Sequence, residues 1–322
     1  MRIRSRIING KQYHYLEDTL RLEKTKTYSL FLGKRLEKSK LQIFEAKLQE
    51  KIYQDLLKGA SRLYLSKAQL IEAEKARRKY QFSLGKLGRA ALGEKEEIDA
   101  VNFVYTTLST EGVPITKEDA SLAYNLSQQT AKSVRDENLR VALDMINGLR
   151  CVKESSAGIT LGFLLRLHSI IMGEYAEKNP GALRKKQAFI YLKSYQKAQE
   201  IGFRPPPPQV LKGKLDALIV WYNENAKKLN AIELAALLHL RFYSIHPFED
   251  GNKRMSRLLL NKALFDCGYP MMNISNETSA YFDALIKSVE TGNEKPFAEF
   301  VYTQVFKAYS LKRKTQAKTQ SS

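Results

Sequence analysis

The chain of 322 residues has two cysteines, one tryptophan and no apolar run long enough to cross a bilayer. Cys151 and Cys267 are too few and too far apart for a disulfide framework or a cysteine-rich zinc site. A bilayer span needs roughly 18 consecutive apolar residues. The best candidate, Leu161–Met172, is interrupted by Arg166 and His168. The N-terminus is basic but leads into no apolar stretch, unlike a secretory signal. These absences predict a soluble, cytoplasmic protein without a membrane partner. Acidic residues are also short, 34 against 53 Lys and Arg, for a net charge of +19. The excess is uneven, roughly +13 within residues 1–90 and about +4 from Leu311 onward, with only about +2 between. The excess reads first as a solvated, Lys-rich helical surface, with a nucleic-acid or acidic partner at the N-terminal region as the alternative, and the central body is nearly neutral.

With 43% apolar residues, 17 Tyr and 14 Phe, the chain can bury a real core. Asn9-Gly10 is a strong hairpin signal between Ile3–Ile8 and Gln12–Leu22, and Thr27–Leu32 reads as a third strand. Residues 1–34 are thus expected to form a small β-meander. Residues 35–92 read as a basic helical segment, with Leu41, Phe44, Leu48, Ile52, Leu56 and Leu57 at helical spacing, a turn at Gly59-Ala60-Ser61, and a second run at Lys67–Tyr80. The chain loosens between Gly85 and Gly93, where a boundary is expected. Helices are then expected at Lys95–Ser109, Lys117–Leu126, Ser133–Cys151, Thr160–Glu174, Val210–Lys228, Ala231–Ser244, Asn252–Cys267, Ser279–Thr291 and Lys295–Tyr309. A β-prone stretch, Ala188-Phe189-Ile190-Tyr191-Leu192, interrupts them, and residues 311–322 read as a basic flexible tail.

The segment His246-Pro247-Phe248-Glu249-Asp250-Gly251-Asn252-Lys253-Arg254-Met255-Ser256-Arg257 carries chemistry. Pro247 ends the preceding helix, Gly251 permits a sharp turn, and Asn252 is a candidate cap for the next helix. That helix start offers free N–H groups and a positive dipole end, a ready anion site. Arg254 and Arg257, three residues apart, share a helix face and can reach the same anion. Asp250 is a carboxylate at the mouth, suited to a divalent ion on phosphate oxygens. His246 is a candidate general base.

This segment resembles the Fic/Doc motif H-x-F-x-[D/E]-G-N-G-R-x-x-R, departing only at Lys253, where glycine is usual. The resemblance covers roughly residues 95–305. It implies a mainly α Fic-type core with a short β-hairpin flap, here spanning 93–310, preceded by the β-meander and helices. It also implies ATP as co-substrate, Mg²⁺ (or Mn²⁺) as cofactor, and AMP transfer to a Ser, Thr or Tyr hydroxyl of a target protein, self-modification included. His246 would deprotonate the hydroxyl and Asp250 would hold the metal. Gly251, Asn252 and Lys253 would line the phosphate loop, with Arg254 and Arg257 on the β- and γ-phosphates. Tyr281 would lie near the adenine, and Ala188, Phe189, Ile190 and Tyr191 would form the flap that positions the target. Lys253 is the form seen in Doc-like members, so a kinase transferring the γ-phosphate is the alternative; a nucleic-acid-binding or ligand-sensing regulator on a Fic fold is a further one.

Thr107-Leu108-Ser109-Thr110-Glu111-Gly112 fits the inhibitory signature [S/T]-x-x-x-E-[G/N] of one Fic class. It would end an inhibitory helix over residues 95–111, presenting an apolar stripe of Ile98, Val101, Tyr105 and Leu108. By resemblance Glu111 would pair with Arg257 and block ATP, and could instead position water for AMP removal. His14, His168 and His239 read as packing residues, and no Cys/His set has metal-ligand spacing.

Overall fold

The computed structural model describes residues 1–21, 25–56, 62–129, 134–155, 158–194, 199–274 and 279–319. The chain divides into two compact units, Met1–Ala60 with Lys67–Lys75, and Ser61–Ser66 with Ala76–Ser322.

In the first unit an antiparallel sheet runs β1 (Arg2–Ile8), β2 (Lys11–Arg21), β3 (Thr25–Gly33) in chain order. Asn9 and Gly10 take φ of +50° and +70°, the paired left-handed geometry of a two-residue hairpin turn, and Ile8 faces Lys11 across it. One sheet face packs on α1 (Leu41–Leu56): Leu16, Tyr28 and Leu32 meet Leu48 and Ile52, with Leu41 and Phe44 at the margin. Leu41, Phe44, Leu48 and Ile52 of the expected spacing therefore share the face of α1 that meets the sheet, and the side chains of Leu56 and Leu57 lie outside the described residues. The expected Gly59–Ser61 turn lies outside the described residues. A second helix, α2, covers Lys67–Leu84.

The second unit is mainly helical. Its helices are α3 (Arg89–Ser109), α4 (Lys117–Ser127), α5 (Glu137–Glu154), α6 (Leu161–Ile171), α7 (Leu211–Asn225), α8 (Ala231–Ile245), α9 (Asn252–Asp266), α10 (Ser279–Thr291) and α11 (Lys295–Thr319). Local chemistry starts several of them. Thr116 and Asp119 form a reciprocal capping box on α4, and Thr160, Asp136 and Asn230 cap α6, α5 and α8. The expected start at Ser133 falls outside the described residues. The basic stretch from Leu311 to Thr319 continues α11, in keeping with its strong helix formers Lys, Arg, Gln and Ala.

α8 and α9 form the centre. Every residue from Ala231 to Leu240 is buried, as is almost all of α9. Such a helix must be enclosed on all sides. α7 and α11 pack on α8, and α5 packs on α9. Glu233, fully buried in the first turn of α8, accepts the N–H groups of Leu63, Tyr64 and Leu65 at 2.7–3.2 Å. On α3 the buried stripe is Ala100, Phe103, Val104, Thr107 and Leu108, whereas Ile98 is half exposed. The expected stripe of Ile98, Val101, Tyr105 and Leu108 is thus rotated by part of a turn. Both rows are apolar, and only the packing partners choose between them. The rotation turns Thr107 inward.

Candidate active site

His246 sits where α8 ends. Its φ is +48°, a left-handed conformation that costs a side-chain-bearing residue about 1 kcal/mol, and its N–H still reaches the Phe242 carbonyl at 3.1 Å. The strain is held by Arg184, which sequence reasoning placed in the stretch leading to the flap and not at this loop. Its Nε donates to the His246 carbonyl at 2.7 Å and its backbone N–H to the Pro247 carbonyl at 2.9 Å. The same guanidinium also donates to the carbonyls of Lys186 and Pro206.

His168 is the second residue missed. It is fully buried on α6, its ring stacked 3.7 Å from Phe248. Nδ1 accepts the Gly181 N–H at 2.8 Å, which leaves Nε2 as the donor to the Asp250 carbonyl at 3.1 Å. Reading it as a packing residue misses that it fixes the loop. Burial pushes its pKa down to about 4, so it stays neutral and keeps this tautomer. The sequence signal was a histidine in a largely apolar helix.

Gly251 has φ +71°, and a Cβ there would lie 2.7 Å from the Met172 sulfur. Glycine is required twice over, by conformation and by space. Asn252 does not cap α9 as expected. It is the first helical residue, and its amide bridges back to Phe248, accepting that residue's N–H at 3.0 Å and donating to its carbonyl at 2.8 Å. The loop is closed on itself by this pair. The first intrahelical bond is Met255 N–H to Gly251 C=O, so the N–H groups of Asn252, Lys253 and Arg254 face the helix mouth.

The largest correction concerns Glu111. Its carboxylate pairs with Arg254, Nε to Oε2 at 2.8 Å, and not with Arg257. Both groups are deeply buried, with side chains 4% and 10% exposed. Arg257 instead donates to the Thr107 carbonyl at 3.0 Å and lies over the Tyr281 ring. The reason is the end of α3. Gly112, at φ +80°, donates to the Ser109 carbonyl and Val113 to the Leu108 carbonyl, a Schellman closure. This places the carboxylate of Glu111 beside the first turn of α9 and the carbonyl of Thr107, one helical turn back, beside the second. One helix end thus occupies both arginines. Glu111 Oε1 and Arg257 Nε and Nη2 remain buried without a partner.

Burial pushes His246 down to about 4; Arg184 and Lys253 add to this, while the Tyr243 carbonyl and Asp250 oppose it. The imidazole is neutral near pH 7, and its Nδ1 is buried without a partner. Tyr281 is enclosed rather than open to a ligand, with its hydroxyl 3.4 Å from His239. The hairpin pairs β4 (Ile190–Ser194) with β5 (Gln199–Phe203), Ile190 facing Phe203. Ala188 and Phe189 precede the strand, and the partner strand was not legible as such. Phe189 and Tyr191 are exposed and lie ring to ring at 4.9 Å, whereas Ile190 is buried.

The Fic/DOC family model matches residues 158–264, which take in His168, Arg184 and the whole loop. Residues 158–264 are a Fic/DOC-family domain. The protein adenylyltransferase Fic of Drosophila ananassae is 26% identical over 215 residues, 66% of this chain and 41% of its own. Protein adenylyltransferase fic-1 of Caenorhabditis elegans is 26% identical over 204 residues, 62% of this chain and 38% of its own. The chain therefore spans about two-fifths of the length of these curated relatives. Among solved structures, a Fic-domain-containing signaling protein of Bacteroides thetaiotaomicron superimposes with a TM-score of 0.64 at 24% identity, over 76% of this chain and 94% of that one. Fic-1 of C. elegans (residues 134–508) does so with 0.62 at 21% identity, over 90% and 81%. These structures share the fold.

A magnesium nucleotide would meet free N–H groups and arginines here, but no ready-made metal cage. No group of three or more His, Cys, Asp or Glu is gathered among the described residues. Magnesium suits that arrangement, because it keeps waters and phosphate oxygens and takes only one or two carboxylates. Asp250 is the candidate, one oxygen accepting the Gly251 N–H at 2.6 Å. The unpartnered donors of Arg257 fit phosphate oxygens.

Proposed function

We propose that this chain transfers AMP from ATP to a Ser, Thr or Tyr hydroxyl of a target protein. The observation that carries the reading is a neutral, buried His246 held across a closed loop from the start of α9, whose first two turns carry Arg254 and Arg257. His246 accepts the proton of the target hydroxyl. The hydroxyl oxygen bonds to the α-phosphorus, the bond from that phosphorus to the bridging oxygen breaks, and pyrophosphate leaves towards the two arginines and the helix N-terminus. Bound Mg²⁺, held by Asp250, would neutralise phosphate charge. The flap would align the target segment by backbone pairing, with Phe189 and Tyr191 as its exposed side chains.

The resting state is an inhibited one in this reading. Glu111 and the Thr107 carbonyl occupy the guanidinium groups that the phosphates need. The deciding experiment gives the protein α- or γ-labelled ATP with Mg²⁺ and a lysate. AMP transfer leaves the α-label on protein, and His246→Ala should lower it by at least about a hundredfold. Retention of γ-label alone would replace the reading with phosphoryl transfer. Lys253 favours that second reading, since it brings a long cation, half-buried, to the helix mouth.

A further inference from the structure

The sheet face turned away from α1 has no part in the site described above. Alternation along the strands puts Arg2, Arg4 and Arg6 on it, opposite in direction to Leu16. The register sets Arg2 beside Glu17, Arg4 beside Tyr15, Arg6 beside Tyr13, and Tyr15 beside Phe31. Glu17 is buried, and its two oxygens hold Arg4 and Arg6, the first at 3.3 Å. The two arginine side chains are nonetheless 52% and 53% exposed. Arg6 lies 4.7 Å over the Tyr15 ring and Lys34 5.9 Å over Tyr13, while Phe31 packs against both tyrosines and is half exposed. Burying a carboxylate is costly unless it is paired. Here the pairing fixes two guanidinium groups that stay half exposed.

We propose that this face binds double-stranded DNA. Arginines at every second position stand about 6.8 Å apart along β1, a row of cations suited to a phosphate backbone. The β1–β2 pair, with strands about 4.8 Å apart, is a two-stranded ribbon of the kind that a major groove of about 12 Å admits. Arginine is the side chain that reads guanine edges there. Residues 1–34 hold eight Lys and Arg against three Asp and Glu, so the field is attractive to phosphate. A single strand is disfavoured, because the tyrosine faces on which bases would stack are already covered by Arg6 and Lys34.

The test uses the full-length protein without ATP, so it stands apart from the transfer reading. Fluorescence anisotropy with a labelled duplex of about 20 base pairs, from about 50 to 200 mM KCl, should show binding whose log K falls with log salt at a slope of about −3 or steeper. The variant Arg2→Ser/Arg4→Ser/Arg6→Ser, with Glu17→Gln so that no carboxylate is left alone, should weaken binding at least tenfold and flatten the slope by about 2.7. Lys312→Ser/Arg313→Ser/Lys314→Ser removes as many cations elsewhere and should change binding less than twofold. Arg→Lys at positions 2, 4 and 6 should retain the slope. If the serine variant loses its native circular dichroism, Arg2→Ser alone carries the test, with a slope change of about 0.9. Absence of duplex binding, equal loss in the tail variant, or tighter binding of single-stranded DNA or duplex RNA would overturn the proposal.

Discussion

At the scale of single residues, the site is held by groups whose work is to satisfy backbone. His168 keeps the Asp250 carbonyl and the Gly181 N–H paired inside the protein. His168→Phe preserves stacking on Phe248 but orphans both, at about 1–3 kcal/mol each. Calorimetry should therefore show a clear fall in Tm, and the KM for ATP should rise in whatever folded protein remains. Gly251→Ala should be equally poorly tolerated, for want of space against Met172. The depressed pKa of His246 gives a kinetic prediction. A base with pKa near 4 is already free of its proton at pH 5, so single-turnover transfer should be nearly flat from pH 8 to about 5 and fall below that. A limb near 6.5 would mean that the imidazole is better solvated than its burial implies.

At the scale of elements, the end of α3 and the start of α9 form one device. Glu111→Gly removes the partner of Arg254 but leaves the Thr107 carbonyl on Arg257. Transfer of α-label should therefore rise at least tenfold, while stability drops by about 3 kcal/mol because Arg254 is left buried and unpaired. A urea titration beside the activity assay reads both, and an unchanged rate would remove the inhibitory role. The flap offers a contrast. Tyr191 is 68% exposed, so Tyr191→Ser should leave Tm within a degree or two. It should raise the KM for the target protein several-fold without altering that for ATP. This pairing of elements was partly legible in the sequence. The loop from His246 to Arg257 is local, and its turn, glycine and arginine spacing survive unchanged. The partner of Glu111 was not legible, because Arg254 and Arg257 differ by less than one helical turn and only the Schellman closure decides between them.

At the scale of the whole molecule, buried neutral histidines tie stability to pH. Burial holds His168 and His246 near 4 and His239 near 3, against about 6.5 in an unfolded chain. Between those values the unfolded chain binds protons that the folded one refuses, so their stabilisation is complete above pH 6.5 and is lost as pH falls. Asp144 works the other way, because burial raises it to about 6 and the folded state takes up its proton first. Two histidines' worth of net destabilisation remains. The urea midpoint should be lower at pH 5 than at pH 7, and a midpoint independent of pH would mean that these rings are not dry.

The sequence by itself determined the mainly helical body, the N-terminal meander with its Asn9-Gly10 turn, and the loop that carries His246. Those depend on period, turn chemistry and contiguous residues, which act over a few positions of chain. Only the tertiary structure decided which stripe of α3 is buried, which arginine Glu111 holds, and that Arg184 and His168 support the loop. Each of these joins residues far apart in the chain, with His168 and Asp250 82 positions apart and Glu111 and Arg254 143. Their partners are chosen by packing and by the need to satisfy every buried polar group.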